Sequence, residues 1–279
     1  VNVQWVVQGS IGTLSTGTSF SSSTVFTATT IGTGTVQADT ATFQDQTGII
    51  TVSGGSLSYL KVRSEAGGSG SEVGATTMTT DQSLILYAAG YDADNNYLSD
   101  VDATWSITGT LDAVSNSGTS IEFSPSTAST SGTIVASSTG VTSDATGTIT
   151  VGVGVLDQIM VRSAASGSGS EITTLSLTTD GTQSLYMAGY DADNNYIRDV
   201  NVQWTVQGSI GTISTGTSFS SSTVFTATTI GTGTVQVDTA TFQDQTGIIT
   251  VSGGLLSYLK VRSEAGGSGS EVGATTMTT

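Results

Sequence analysis

The sequence predicts an all-β chain of tandem, two-sheet sandwich modules, on three observations. Thr, Ser, Gly and Val dominate, with 36 Gly, one Pro and 10% charged residues; β-branched residues suit pleated strands, and Gly and Ser suit turns. Apolar residues alternate in short runs, and no stretch sustains a helical period. The block Tyr91-Asp92-Ala93-Asp94-Asn95-Asn96-Tyr97 returns 99 residues later as Tyr190-Asp191-Ala192-Asp193-Asn194-Asn195-Tyr196. Each block is followed by Asp-Val and then by a tryptophan, Trp105 or Trp204, and Trp5 lies 100 residues before Trp105. A module of about a hundred residues is therefore repeated, long enough to bury its own core.

Within a module the strands follow in order. Leu57 to Arg63 alternates and reads as the first strand. Ser64 to Ser71 is a glycine-rich crossover by which that strand changes sheets, and Glu72 to Thr79 resumes extended structure. Ser83 to Tyr91 is a strongly apolar strand with Leu84, Leu86, Ala88 and Gly90 on one face. The Asp/Asn block is a loop, and Asp102 to Ile107 carries Trp105. Ile121 to Phe123, Gly132 to Ser137 and Gly147 to Val151 complete about seven short strands, the pattern of an Ig-like sandwich. In Val200-Asn-Val202-Gln-Trp204 the tryptophan falls on the valine face, so Trp5, Trp105 and Trp204 are expected in the core.

The repeat has two levels. Residues 1–80 and 200–279 align without a gap and differ at four positions, Val6/Thr205, Leu14/Ile213, Ala38/Val237 and Ser56/Leu255. The expected division is the C-terminal part of a module over 1–54, complete modules over 55–153 and 154–253, and the first strands of a further module over 254–279. A pair copied this faithfully suggests a longer array.

The strand, crossover, Asp-Ala-Asp-Asn-Asn-Tyr loop, Asp-Val and Trp strand together resemble the bacterial Ig-like domains of invasin- and intimin-type surface proteins and repetitive adhesins. That family's loop commonly reads Asp-Ala-Asp-Gly-Asn-Pro-Val before a Val-x-Trp strand; here Asn95 stands for the Gly and Tyr97 for the Pro. The resemblance covers both complete modules and both partial ones. It implies Ig-like sandwiches of a surface or secreted protein, in a family that serves as stalk, adhesin, enzyme appendage and phage decoration alike.

The acidic loop is the candidate site. Asp92, Asp94, Asn96 and Asp100, with Asp102 nearby, and in the second copy Asp191, Asp193, Asn195 and Asp199, supply the hard oxygens that Ca²⁺ prefers. The loop lacks the later Gly and bidentate Glu of an EF-hand. The alternative is a turn in which Asp and Asn side chains bond nearby backbone amides. In an Ig-like sandwich this loop faces the preceding module, so a cation there would stiffen a junction.

Composition excludes other chemistry. With no Cys and no His, disulfides, Cys/His zinc sites and Ser-His or Cys-His catalytic pairs are absent. A net charge of −16 with six basic residues argues against nucleic acid and anionic membranes. No run of about eighteen apolar residues spans a membrane. Five of the six basic residues, Lys61, Arg63, Arg162, Lys260 and Arg262, sit on first strands and read as a solvated face. The glycine-rich segment has no phosphate-loop Lys.

The expectation is a non-enzymatic structural protein, extracellular or at the bacterial cell surface, forming a stalk, fibre or filament. Its expected partners are neighbouring modules and copies of itself as a homopolymer, with no nucleic acid and no membrane insertion in this segment. The alternatives are an adhesin contacting a ligand through Tyr97 and Tyr196, or accessory modules of a large secreted enzyme.

Overall fold

In the computed structural model, residues 1–273 are described, and the chain divides into two units, Val1–Val155 and Leu156 onward. Among the described residues every regular element is a strand. Among the described residues no helix is long and apolar enough to cross a membrane.

In the second unit, Gln158–Arg162, Thr182–Tyr190, Ser222–Ala227 and Gly211–Ile213 pair in that order, with Tyr196–Asp199 also on Thr182–Tyr190. The facing sheet runs Thr174–Thr178, Ile248–Ser252, Gly231–Asp238, Val202–Gln207 and Phe219–Ser220, with Gln243–Gln245 also on Gly231–Asp238. Thr174–Thr178 pairs parallel with Ile248–Ser252, so the glycine-rich segment before it carries the chain from one sheet to the other. Alternation decides which side chains go inside. Along Val202–Gln207, Val202 and Trp204 are buried while Gln203 and Thr205 are exposed. Leu185, Met187, Phe225, Val235, Val237 and Ile249 close around Trp204. Burying an aromatic of this size removes ~150–250 Å² from water.

Residues 55–153 in the first unit repeat this plan around Trp105, with Leu86, Phe123, Ile134 and Ile149. Here Thr130–Gly132 pairs with Ile149–Gly152, while Ile134–Ser137 pairs with Ala103–Ile107. The hydroxyl of buried Thr146 accepts from Ile134 N at 3.0 Å, and that of Thr246 accepts from Val235 N at 3.0 Å. A threonine thus supplies a ladder partner where the strand passes between neighbours.

Residues 1–54 depart from expectation at Trp5, which is half-buried. They contain no counterpart of the Thr182–Tyr190 strand, whose Leu185 and Met187 pack on Trp204. A cleft of about 380 Å³ lined by Trp5, Phe26, Val36 and Ile50 lies open instead. The Phe26–Ala28 strand, without that partner, is shorter than Ser222–Ala227.

Of the segment 254–279, residues 274–279 lie outside the described residues. Residues 254–273 hold the glycine-rich turn, closed by an Arg262–Glu271 bridge and by Ser263 N donating to Ser270 O at 3.1 Å. Leu255, Leu256 and Leu259 are exposed there.

Candidate functional site

The strand Leu84–Tyr91 ends as Asp92 turns inward, and the chain reverses through a tight loop into Tyr97–Asp100. Asn95 makes the reversal with φ 68°, and Asn194 does so with φ 66°. This is the left-handed region, where the related loop sequence carries Gly and which Asn tolerates better than most residues. The buried Asp92 carboxylate organises the loop. Its Oδ1 accepts from Asp94 N at 3.0 Å and Asn96 N at 2.9 Å, and the Asn96 amide donates to both oxygens. Gly55 N donates to Oδ2 at 3.0 Å. These bonds, that from Gly55 foremost and then those from Asn96, hold the Asp92 carboxyl down at about 2. Asp191 repeats the pattern, with Asp193 N at 3.1 Å, Asn195 N at 2.8 Å and the Asn195 amide.

Asn96 also reaches the preceding module. Its Nδ2 donates to Thr29 O at 3.0 Å, and Ile31 N donates to its Oδ1 at 3.3 Å. Gly54 lies against Leu98, leaving no room for a side chain at that position without displacement. One loop thus holds the turn of residues 29–31, the linker at Gly55 and the strand carrying Asp92.

The sequence-grouped oxygens do not converge. Asp94 and Asp193 are exposed. Asp100 accepts from Gly67 N at 3.0 Å and Tyr97 OH at 3.2 Å, and Asp199 accepts from Ser166 N at 3.1 Å and Tyr196 OH at 2.9 Å. Both therefore serve the glycine-rich turn. The Asp92 oxygens face N–H donors, the geometry of an Asx turn. Among the described residues no three Asp, Glu, His or Cys side chains gather as a metal-holding group.

The tyrosines differ from their expected part as exposed contacts. Tyr97 is half-buried under Gly68, edge-on to Tyr91 at 5.9 Å, and Tyr196 sits likewise under Gly167 and beside Tyr190 at 6.0 Å. Gly68 and Gly167 have φ of 69° and 67°, and a Cβ on either would strike the ring. The basic residues of the first strands likewise have a role that sequence reasoning missed. Arg63 donates to Ser69 O and Gly70 O, Arg162 to Gly169 O at 2.7 Å and Arg262 to Gly269 O at 2.7 Å, while Lys61 pairs with Glu72 at 3.1 Å. The guanidinium fork collects carbonyls that the turn leaves without backbone partners.

No family model matches the sequence, and no curated protein matches it. Solved structures do. The Escherichia coli adhesin FdeC is 14% identical, with a TM-score of 0.39, over 91% of this chain and 86% of that one. The D00-D0 domain of intimin is 12% identical, with a TM-score of 0.35, over 69% of this chain and 99% of that one. The surface-layer protein rSbsC(31-844) is 16% identical, with a TM-score of 0.29, over 93% of this chain and 36% of that one. The chain's own sheets are those of Ig-like sandwich modules, held without any cysteine.

Proposed function

We propose that the chain is a structural, non-catalytic repeat region of an extracellular bacterial surface protein, a stalk or fibre built of modules spanning 55–153, 154–253 and their neighbours. The observation that carries this reading is Asn96, which ties the Asp92 loop to Thr29 and Ile31 of the preceding module. In the loop that sequence singles out for chemistry, Asn96 and the Asp92 Oδ2 meet the backbone of a junction. A mechanical part has use for that arrangement; a catalytic or ligand site needs free groups in a cleft. The near-identity of 1–80 and 200–279 supports the same reading, because a length device gains from repetition.

Electron microscopy of cells carrying the native protein, labelled with antibody to this chain, tests it. The expected result is label spaced along threads or filaments leaving the cell surface. Label confined to the cytoplasm, or to a soluble secreted enzyme, would overturn it.

A further inference from the structure

Tension along the chain enters a complete module at its first strand and leaves at its last. In the second unit the first strand, Gln158–Arg162, has one strand neighbour, Thr182–Tyr190, and Val161 N fastens it to the Asp244 carboxylate at 2.7 Å. The glycine-rich turn that follows is folded back on it. Ser163 N donates to Ser170 O at 2.9 Å and Ile172 N to Val161 O at 3.1 Å, while Arg162 gathers the carbonyls of Gly167 and Gly169. Residues 157–173 thus hold folded length, at most ~60 Å when drawn straight.

A parallel pair lies beyond this turn. Thr174–Thr178 runs beside Ile248–Ser252 over five residues, and Thr179 N continues the ladder to Ser252 O at 2.9 Å. Pulled end to end, the module has its entry drawn one way and its exit at Gly253 the other, so these two strands slide along each other. Their evenly spaced bonds are then strained together. Strands parted from one end lose their bonds one after another. Ile248–Ser252 is also held on its far side by Gly231–Asp238, so of the two terminal strands the first is the less firmly held. Residues 55–153 repeat the device. Thr76–Thr79 lies parallel to Ile149–Gly152, with Thr76 N on Thr148 O at 3.0 Å and Thr80 N on Gly152 O at 3.2 Å, and Thr130–Gly132 backs the last strand. There Tyr59 also bridges Thr142 in parallel, which aligns the first strand with the segment leading into the last.

We propose that each complete module takes up tension in two stages; the inference rests on the structural reading above. In the first stage the first strand slides off Thr182–Tyr190 and the glycine-rich turn unwinds, which lengthens the chain while the module stays closed. The load then falls on the parallel pair, which acts as the latch. Ile159 and Val161, buried in the core, draw the first strand back when the pull ends. Opening under force is governed by the barrier to unfolding, and bonds strained together raise that barrier above bonds broken in turn. A stalk built this way yields length before its modules open.

Optical-tweezers pulling of the 279-residue chain tests this. The chain has no cysteine, so introduced pairs set the points of attachment. Asp157→Cys with Gly253→Cys loads the module end to end, and Thr178→Cys with Gly253→Cys grips both strands of the parallel pair at one end. All three positions are exposed, and a Cβ at Gly253 meets only Ile230, at 3.7 Å. End to end, a reversible first step of at most ~60 Å is expected, followed at higher force by opening of the rest of the module. The one-ended grip is expected to open the module at about half that higher force or less. Opening of the whole module in a single step, or equal opening forces from the two grips, would overturn the proposal. Neither result alters the antibody-label test of surface placement, so the two readings fail separately.

Discussion

The Asp144 carboxylate accepts the backbone N–H of Val62 at 2.7 Å, tying the first strand to the opposite sheet, and Asp244 holds Val161 N at 2.7 Å in the same way. In a chain without cysteine, this polar tie joins the sheets where a disulfide is unavailable. Val62 is fully buried, so water cannot replace the acceptor. Asp144→Ala should cost ~1–3 kcal/mol, the penalty of a buried donor left unmade, and Asp144→Asn should cost less because an oxygen remains. Urea unfolding followed by circular dichroism checks the order; equal midpoints for wild type and the alanine variant would show that the tie holds nothing.

Trp204 and Trp5 share their sequence context apart from Val6/Thr205 and differ in burial. Trp204→Ala should destabilise its module by about 3–5 kcal/mol. Trp5→Ala should cost distinctly less, since one side of that ring already faces the open cleft. Thermal unfolding of the two variants separates them.

Asn95 occupies the left-handed region and accepts the Tyr59 hydroxyl at 2.6 Å. Asn95→Gly keeps the backbone geometry and should change stability by less than about 1 kcal/mol. Asn95→Val puts a branched side chain where φ is positive and should cost ~1–2 kcal/mol. A ranking of Val at or above Gly in melting temperature would contradict the turn account.

The sandwich was legible because its signals are local. Alternation placed Trp105 and Trp204 inside, and the glycine-rich segment marked the change of sheet. Trp5 reads as core because its sequence context is close to that of Trp204, yet residues 1–54 hold no counterpart of the Thr182–Tyr190 strand that packs on Trp204. Asp100 was grouped with Asp92 by nearness in sequence, yet it lies across a reversed chain and meets Gly67. The Asp144 tie was not legible because its partner is 82 residues away. Its signal was present: Asp45, Asp144 and Asp244 recur 99 and 100 residues apart. Arg63 and Arg162 read as solvated because backbone carbonyls leave no mark in side-chain identity.

The junction should weaken in acid. Asp92 is held at about 2 against an ordinary value of 3.8, so its contribution is complete above pH 3.8 and is lost as pH falls through 2. Asp244 runs the other way. Burial raises its carboxyl despite the bond from Val161 N, so its ionised form opposes folding as pH rises through that raised value. Calorimetry between pH 5 and pH 2 should show a falling melting temperature in wild type and a flatter profile in Asp92→Asn. Identical profiles would remove Asp92 from the account.

The most direct test of the junction is amide hydrogen exchange at Ile31 and Gly55, whose N–H groups donate to Asn96 and Asp92. In wild type both should be protected. In Asn96→Ala, Ile31 should exchange about tenfold faster or more, the loss of a bond worth ~1.5 kcal/mol, while Ile134 within the module core keeps its protection. If Ile31 exchanges freely in wild type, or at the same rate in the variant, the Asp/Asn loop is not the tie between modules.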